Sequence, residues 1–146
     1  MTIPPPPIES PLSIDDAQAV LTRQTVGRLA YAFGDHVDIA PIHYVYDDGW
    51  LYGRTGSGSK LAVLARRPQC ALEVTEPVDD GATDCVVVRG TFHLLDPEVA
   101  AGDAYDRAVA LVRARVRQAL AVGDPVPQRA LLFRIRVEAI SGRRLG

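Results

Sequence analysis

The segment Leu131-Leu132-Phe133-Arg134-Ile135-Arg136-Val137-Glu138-Ala139-Ile140 alternates apolar and charged residues strictly from Phe133 to Val137. A period of two puts every second side chain on one face, so this stretch is a strand with one buried and one wetted side. Five earlier segments also read as strands: Val26 to Phe33, Val37 to Tyr46, Trp50 to Tyr52, Cys70 to Val74, and Asp84 to Leu95. Gly34-Asp35-His36 and Asp47-Asp48-Gly49 supply hairpin connections. Pro41 cannot donate to a ladder, so it marks an edge, a bulge or a break. Gly90 interrupts the longest strand, at a position suited to a bend. Helices fall between the strands. Ser13 precedes Ile14 to Arg23 with Asp15 and Asp16 in the first turn, the apolar run Leu61 to Ala65 follows a glycine-rich turn, and Asp96-Pro97-Glu98 starts a helix predicted to reach about Val122. Six antiparallel strands with helices inserted between them predict a closed or partly open barrel in an α+β domain.

A chain of 146 residues is one domain of ordinary size, able to bury about two-thirds of the surface its unfolded form exposes. Residues 13–146 are read as that domain and residues 1–12 as a Pro-rich leader, extended and mobile through Pro4 to Pro7. The start has neither a basic stretch nor a long apolar one, so no signal peptide is expected, and no apolar run approaches the length of a membrane span. A cytoplasmic protein is expected. The net charge of -2 argues against a general nucleic-acid binder. Cys70 and Cys85 lie in apolar contexts and read as buried free thiols, and His36 and His93 have no metal-ligand spacing.

Fifteen of the 16 basic residues are arginine, and the one lysine, Lys60, ends the stretch Gly53-Arg54-Thr55-Gly56-Ser57-Gly58-Ser59-Lys60. Glycines let backbone N–H groups converge on an anion, the hydroxyls of Thr55, Ser57 and Ser59 add donors, and Arg54 and Lys60 add charge. The helix that follows would aim its free N–H groups at the same anion. A turn that only caps the helix uses the same residue types. A nucleotide-binding P-loop fails by one position, since Ser59 rather than lysine follows Gly58.

The run Pro41-Ile42-His43-Tyr44-Val45-Tyr46-Asp47-Asp48-Gly49-Trp50-Leu51-Tyr52, then Gly56-Ser57-Gly58-Ser59-Lys60 and Pro68 before a strand, resembles the pyridoxamine 5'-phosphate oxidase-like, FMN-binding split-barrel family. Val87-Val88-Arg89-Gly90 and Ile140-Ser141-Gly142-Arg143 are similar to its remaining blocks, so the resemblance covers about Leu12 to Arg143. It implies a six-stranded antiparallel split β-barrel with flanking helices, assembled as a homodimer with two flavin sites at the interface. It also implies that Arg54, Thr55, Ser57, Ser59 and Lys60 hold the ribityl phosphate of FMN, and that Pro41, Ile42, His43 and Tyr44 face the flavin ring. Arg89 and Arg143 are implied as cofactor or substrate contacts. Tyr44 fits core or dimer packing equally well, Arg89 fits a solvated strand position, and His43 is a weak candidate proton donor. Strand alternation sends one of Ile42 and His43 inward and the other outward. The ending Gly142-Arg143-Arg144-Leu145-Gly146 lacks the segment with which true pyridoxamine 5'-phosphate oxidases grip the vitamin, so the resemblance runs to the small flavin-binding members. Three readings follow from it: an FMN-dependent oxidoreductase taking electrons from NAD(P)H for a small organic substrate, a flavin-binding or electron-transfer protein without its own substrate, and a member using a deazaflavin (F420) or heme.

Overall fold

The computed structural model describes residue 3 and residues 9–98 and 103–146. In chain order the elements are β1 (Glu9–Pro11), α1 (Ile14–Arg23), β2 (Val26–Phe33), β3 (His36–His43), β4 (Val45–Asp47), β5 (Trp50–Thr55), α2 (Ser59–Arg66), β6 (Gln69–Pro77), β7 (Thr83–Leu95), α3 (Asp103–Arg115) and β8 (Leu131–Leu145). All ladders are antiparallel, in the order β3-β2-β6-β7-β8-β5-β4, with β1 added on β8.

That order has a geometric consequence. β3 and β4 are consecutive in the chain, yet they lie at opposite ends of the ladder. A single residue, Tyr44, joins them, so the sheet must curl until its two ends meet. The result is a barrel hydrogen-bonded around its wall and split along the β3–β4 seam. Tyr44 is fixed at this crossing: its N–H donates to Thr25 O at 2.9 Å, its hydroxyl donates to Leu21 O at 2.9 Å, and only 2% of it is exposed. The strand therefore breaks at Tyr44, where the chain leaves one ladder end for the other, and not at Pro41. Pro41 sits in β3 opposite Arg28, on the edge strand, where its missing N–H costs no ladder bond.

The barrel interior is filled by residues of alternating strand positions, among them Leu29, Ile42, Leu51, Leu72, Val74, Val86, Val88, Phe133 and Ile135. The helix α1 closes one side of it with Ala17, Val20 and Leu21, and Phe92 stacks on Phe133 at 5.1 Å. Each such side chain fully buried contributes roughly 1.5–3 kcal/mol. A second cluster forms on the outer face, where Ala108 and Val112 of α3 cover Tyr52, Leu95 and Leu132. The bend expected at Gly90 is present: the β7–β8 register shifts between Arg89 and Gly90, and a methyl built at Gly90 would collide with the Arg136 carbonyl. The N-terminus of α1 is also as expected, with the Ser13 hydroxyl accepting from Asp16 N at 3.1 Å.

Three expectations are corrected. The sheet has eight strands rather than six, because Tyr44 divides one predicted strand into β3 and β4 and because residues 9–11, read as leader, pair with Arg143 to Leu145 of β8 as β1. Pro4 to Pro7 lie outside the described residues. At the start predicted for the third helix, Pro97 and Glu98 form a turn in which Glu98 N donates to Asp96 Oδ1 at 2.8 Å; residues 99–102 lie outside the described residues, and α3 is described over Asp103–Arg115. It stops at Arg115 instead of Val122. Leu120 has φ +62, and its N–H goes to Asp124 Oδ2 rather than to a helical carbonyl. Cys70 is buried and Cys85 half-buried, both free, and burial pushes the Cys70 thiol up to about 12. No helix among the described residues is long and apolar enough to cross a membrane.

Candidate functional site

The split in the wall leaves a cavity of about 340 Å³. His43, Tyr44 and Val45 border it from the seam, Tyr52, Gly53 and Arg54 from β5, Val112 and Arg115 from the end of α3, and Val126 and Arg129 from the segment leading into β8. Tyr52, Val112, Val116 and Val126 make one wall apolar, while the charged lining residues are all arginines. Burial raises the Tyr44 hydroxyl well above its usual range, and the Arg115 charge partly opposes that shift. At cellular pH Tyr44 is therefore a neutral donor committed to Leu21 O.

The glycine-rich loop lies between β5 and α2. Gly58 is the N-cap of α2 and makes no side-chain cap bond. Glycine is itself a favoured N-cap, and no side-chain hydrogen bond of Ser57 or Ser59 is formed there. Thr55 is buried and its hydroxyl donates to Gly56 O at 3.2 Å. Lys60 is half-buried, and burial first and the neighbouring Arg129 charge second lower its pKa from the usual lysine value. Neither Lys60 nor Arg129 has a carboxylate within 4.0 Å among the described residues. Arg129 therefore belongs to two places at once, lining the cavity and acting electrostatically on the loop lysine.

The turn-rich segment 116–130 brings Arg129 there. Its anchor is Asp124, whose carboxylate accepts from Arg54 Nη1 at 2.6 Å, Arg54 Nη2 at 3.1 Å, Leu120 N at 2.8 Å and Val126 N at 2.9 Å. The Arg54 guanidinium is the main reason that the Asp124 carboxyl lies far below the usual carboxylate range, with the backbone N–H groups adding to it against burial.

The residues named from the sequence thus separate into groups. His43, Tyr44 and Arg54 border the cavity. Ile42 points into the barrel core and His43 outward, as alternation requires. Pro41 is exposed on the edge strand. Thr55, Ser57, Ser59 and Lys60 form the loop beside the cavity without lining it, and the Arg54 guanidinium is 8% exposed and paired with Asp124. Arg89 is exposed on β7 beside the bulge, and Arg143 pairs with Glu9 at 3.2 Å next to a smaller pocket of about 120 Å³, so neither joins the seam cavity within this chain. Sequence reading missed Asp124, Arg115 and Arg129. Gly123-Asp124-Pro125 registers in a sequence only as a helix breaker, and one arginine among fifteen carries no mark of its own.

Fold and seam cavity together define a split-barrel domain. The sequence profile of the pyridoxamine 5'-phosphate oxidase family matches residues 13–144, and the chain belongs to this family. An FAD-binding protein from Mesorhizobium loti is similar to it in structure, with TM-score 0.77 and 26% identity over 96% of this chain and 98% of that one. An FAD-binding protein from Mycobacterium smegmatis follows with TM-score 0.65 and 22% identity over 93% and 98% of the two chains. A heme-binding protein from the same organism has TM-score 0.68 and 16% identity, covering 86% of this chain and 51% of that one. The last two likenesses, at such identities, concern the fold alone. No curated protein matches the sequence.

Proposed function

We propose that the protein is a flavin-dependent oxidoreductase that binds FMN in the seam cavity, accepts electrons from NAD(P)H and passes them to a small organic substrate. The observation that carries this reading is the pairing of a part-apolar cavity with two cations, Lys60 and Arg129, that lack carboxylate partners among the described residues. A cavity of about 340 Å³ lies within the range of small-molecule sites. Its chemistry fits a ligand with a flat ring and a phosphate: Tyr52, Val112 and Val116 would face the ring, while Lys60, Arg129 and the Ser57 and Ser59 hydroxyls would hold the phosphate. When bound, the flavin supplies the hydride or electron chemistry. The chain's own part is to orient the ring through the backbone around His43 and Tyr44, to exclude water with α3, and to offer the His43 imidazole as a proton donor beside the ring. The FAD-binding relative at 26% identity supports a flavin over a deazaflavin or heme.

A second copy completes the reading. The edge strand β3 exposes 78% of Val37 and 61% of Ile39, an apolar row ending at the cavity, and this supports a homodimer with its sites at the interface. The test is the visible spectrum of the purified protein with and without FMN, FAD and F420, followed by acid release of whatever is bound. Bound FMN and NADPH oxidation above the rate of free FMN are the expected results. A colourless protein that ignores every flavin overturns the reading, and bound FMN without turnover across a panel of acceptors reduces it to a flavin carrier. Lys60→Ala is expected to weaken FMN binding by roughly tenfold or more with little loss of stability, since it removes a charge-assisted bond.

A further inference from the structure

We propose that Asp124 is a positioning residue: by clamping segment 120–126 onto Arg54 it sets Arg129 beside Lys60, and the two cations form one anion site at the edge of the seam cavity. The inference rests on the proposed phosphate-bearing ligand but assigns different residues to it. Arg54, the arginine that the sequence points to, is 8% exposed and has its charge matched by a carboxylate that is itself 4% exposed. Arg129, by contrast, has no carboxylate within 4.0 Å among the described residues.

The bonds of Asp124 exceed what neutralising Arg54 requires. Two of its four acceptor positions go to backbone N–H groups, at Leu120 and Val126, and these fix the loop rather than the ion pair. The Val126 bond is then passed on, because Arg129 N donates to Val126 O at 3.0 Å. Two consecutive bonds therefore connect the Asp124 carboxylate to the backbone that carries the Arg129 side chain. The segment also rests on the glycine-rich loop. A methyl built at Gly56 would stand 3.0 Å from Gln128 O, so the glycine lets residue 128, and with it Arg129, approach the lysine loop without pushing the segment back by a few tenths of an ångström. Two like charges held together in this way repel unless an anion lies between them. An anion carrying about two charges, such as a phosphate monoester, would neutralise both.

The test uses the full chain, and the single lysine makes it direct. Protein grown with lysine carbon-labelled at Cε gives one lysine resonance, whose titration reports the surroundings of Lys60. Dissociation constants for FMN and riboflavin, which differ by the phosphate, are measured alongside. Arg129→Gln and Asp124→Asn are each expected to lower the preference for FMN over riboflavin by tenfold or more, to move the Lys60 midpoint up toward 10.5 and to abolish its response to added pyrophosphate. The double variant is expected to be no worse than Arg129→Gln alone. Should Asp124→Asn fail to fold, Arg54→Lys, which keeps the charge and loses the two-pronged clamp, is expected to act in the same direction. Equal losses for FMN and riboflavin with an unchanged Lys60 titration would overturn the proposal and leave Asp124 a purely structural residue. A Lys60 that responds to pyrophosphate in a protein that binds no flavin would support the anion site while refuting the flavin reading.

Discussion

Of the aspartate–arginine pairs among the described residues, two with well-hidden carboxylates differ in what they hold. Asp84 takes Arg144 in two bonds of 2.7 and 3.0 Å, and Asp124 takes Arg54 in two of 2.6 and 3.1 Å. The two aspartate side chains are similarly hidden, at 7% and 4% exposure, and the arginine bonds are the leading reason that both carboxyls titrate below their usual range. Asp84 and Arg144, however, are ladder partners in β7 and β8, so the backbone brings them together before their side chains meet. Asp124 lies in a segment with no ladder, and the side chain itself collects the backbone around it. One geometry is thus an accessory at the ladder end of the barrel and the framework at the seam end.

The ladder end is broken only through its backbone. Gly90→Ala brings a methyl onto the Arg136 carbonyl and the Ile135 side chain at the bulge where β7 bends. The strands cannot separate there without giving up adjacent ladder bonds, so a loss of about 3 kcal/mol is expected from urea denaturation. A loss under about 1 kcal/mol would mean that the ladder gives way locally and is less rigid than the comparison assumes.

The seam end is broken through one carboxylate. In Asp124→Asn, hydrogen exchange at Leu120 N and Val126 N is expected to accelerate while barrel amides keep their protection. Acid should reveal the same dependence. Asp124 has a folded pKa below its ordinary 3.8, so it contributes stability above that pH, and the contribution is lost as pH falls from about 4 toward the folded value. The stability gap between wild type and Asp124→Asn is therefore expected to be widest near neutrality and to close below pH 4. A gap independent of pH would show that the clamp is not ionic.

This contrast also explains what could be read in the sequence. Ladders leave a period of two in the chain, which is why Val26 to Phe33 and Phe133 to Val137 are legible with their inward faces, and why the bend at Gly90 is visible as an interruption. The glycine-rich loop is legible for a similar local reason. Residues 116–130 are not, because their geometry comes from one carboxylate reaching back across 70 positions to Arg54, and no periodicity marks such a bond. The same holds for Tyr44, whose role as the crossing between the ladder ends follows from topology alone. The capping chemistry of Asp96 is legible for a local reason too, since its carboxylate accepts from Glu98 N two positions on.

The smallest expected effect belongs to Arg144→Gln. The Arg144 side chain is 48% exposed, so solvent and salt already screen its attraction for Asp84, and the ladder register from Thr83 to Leu95 survives without it. A fall in Tm of about 2 °C or less is expected, shrinking further in 0.5 M salt, which is about an ordinary surface pair's share of stability. The neutral glutamine can still donate one bond to Asp84, so the buried carboxylate is not left without a partner. A fall as large as that of Asp124→Asn would erase the distinction between the two pairs, and β8 would then depend on side chains at its end as much as the seam does.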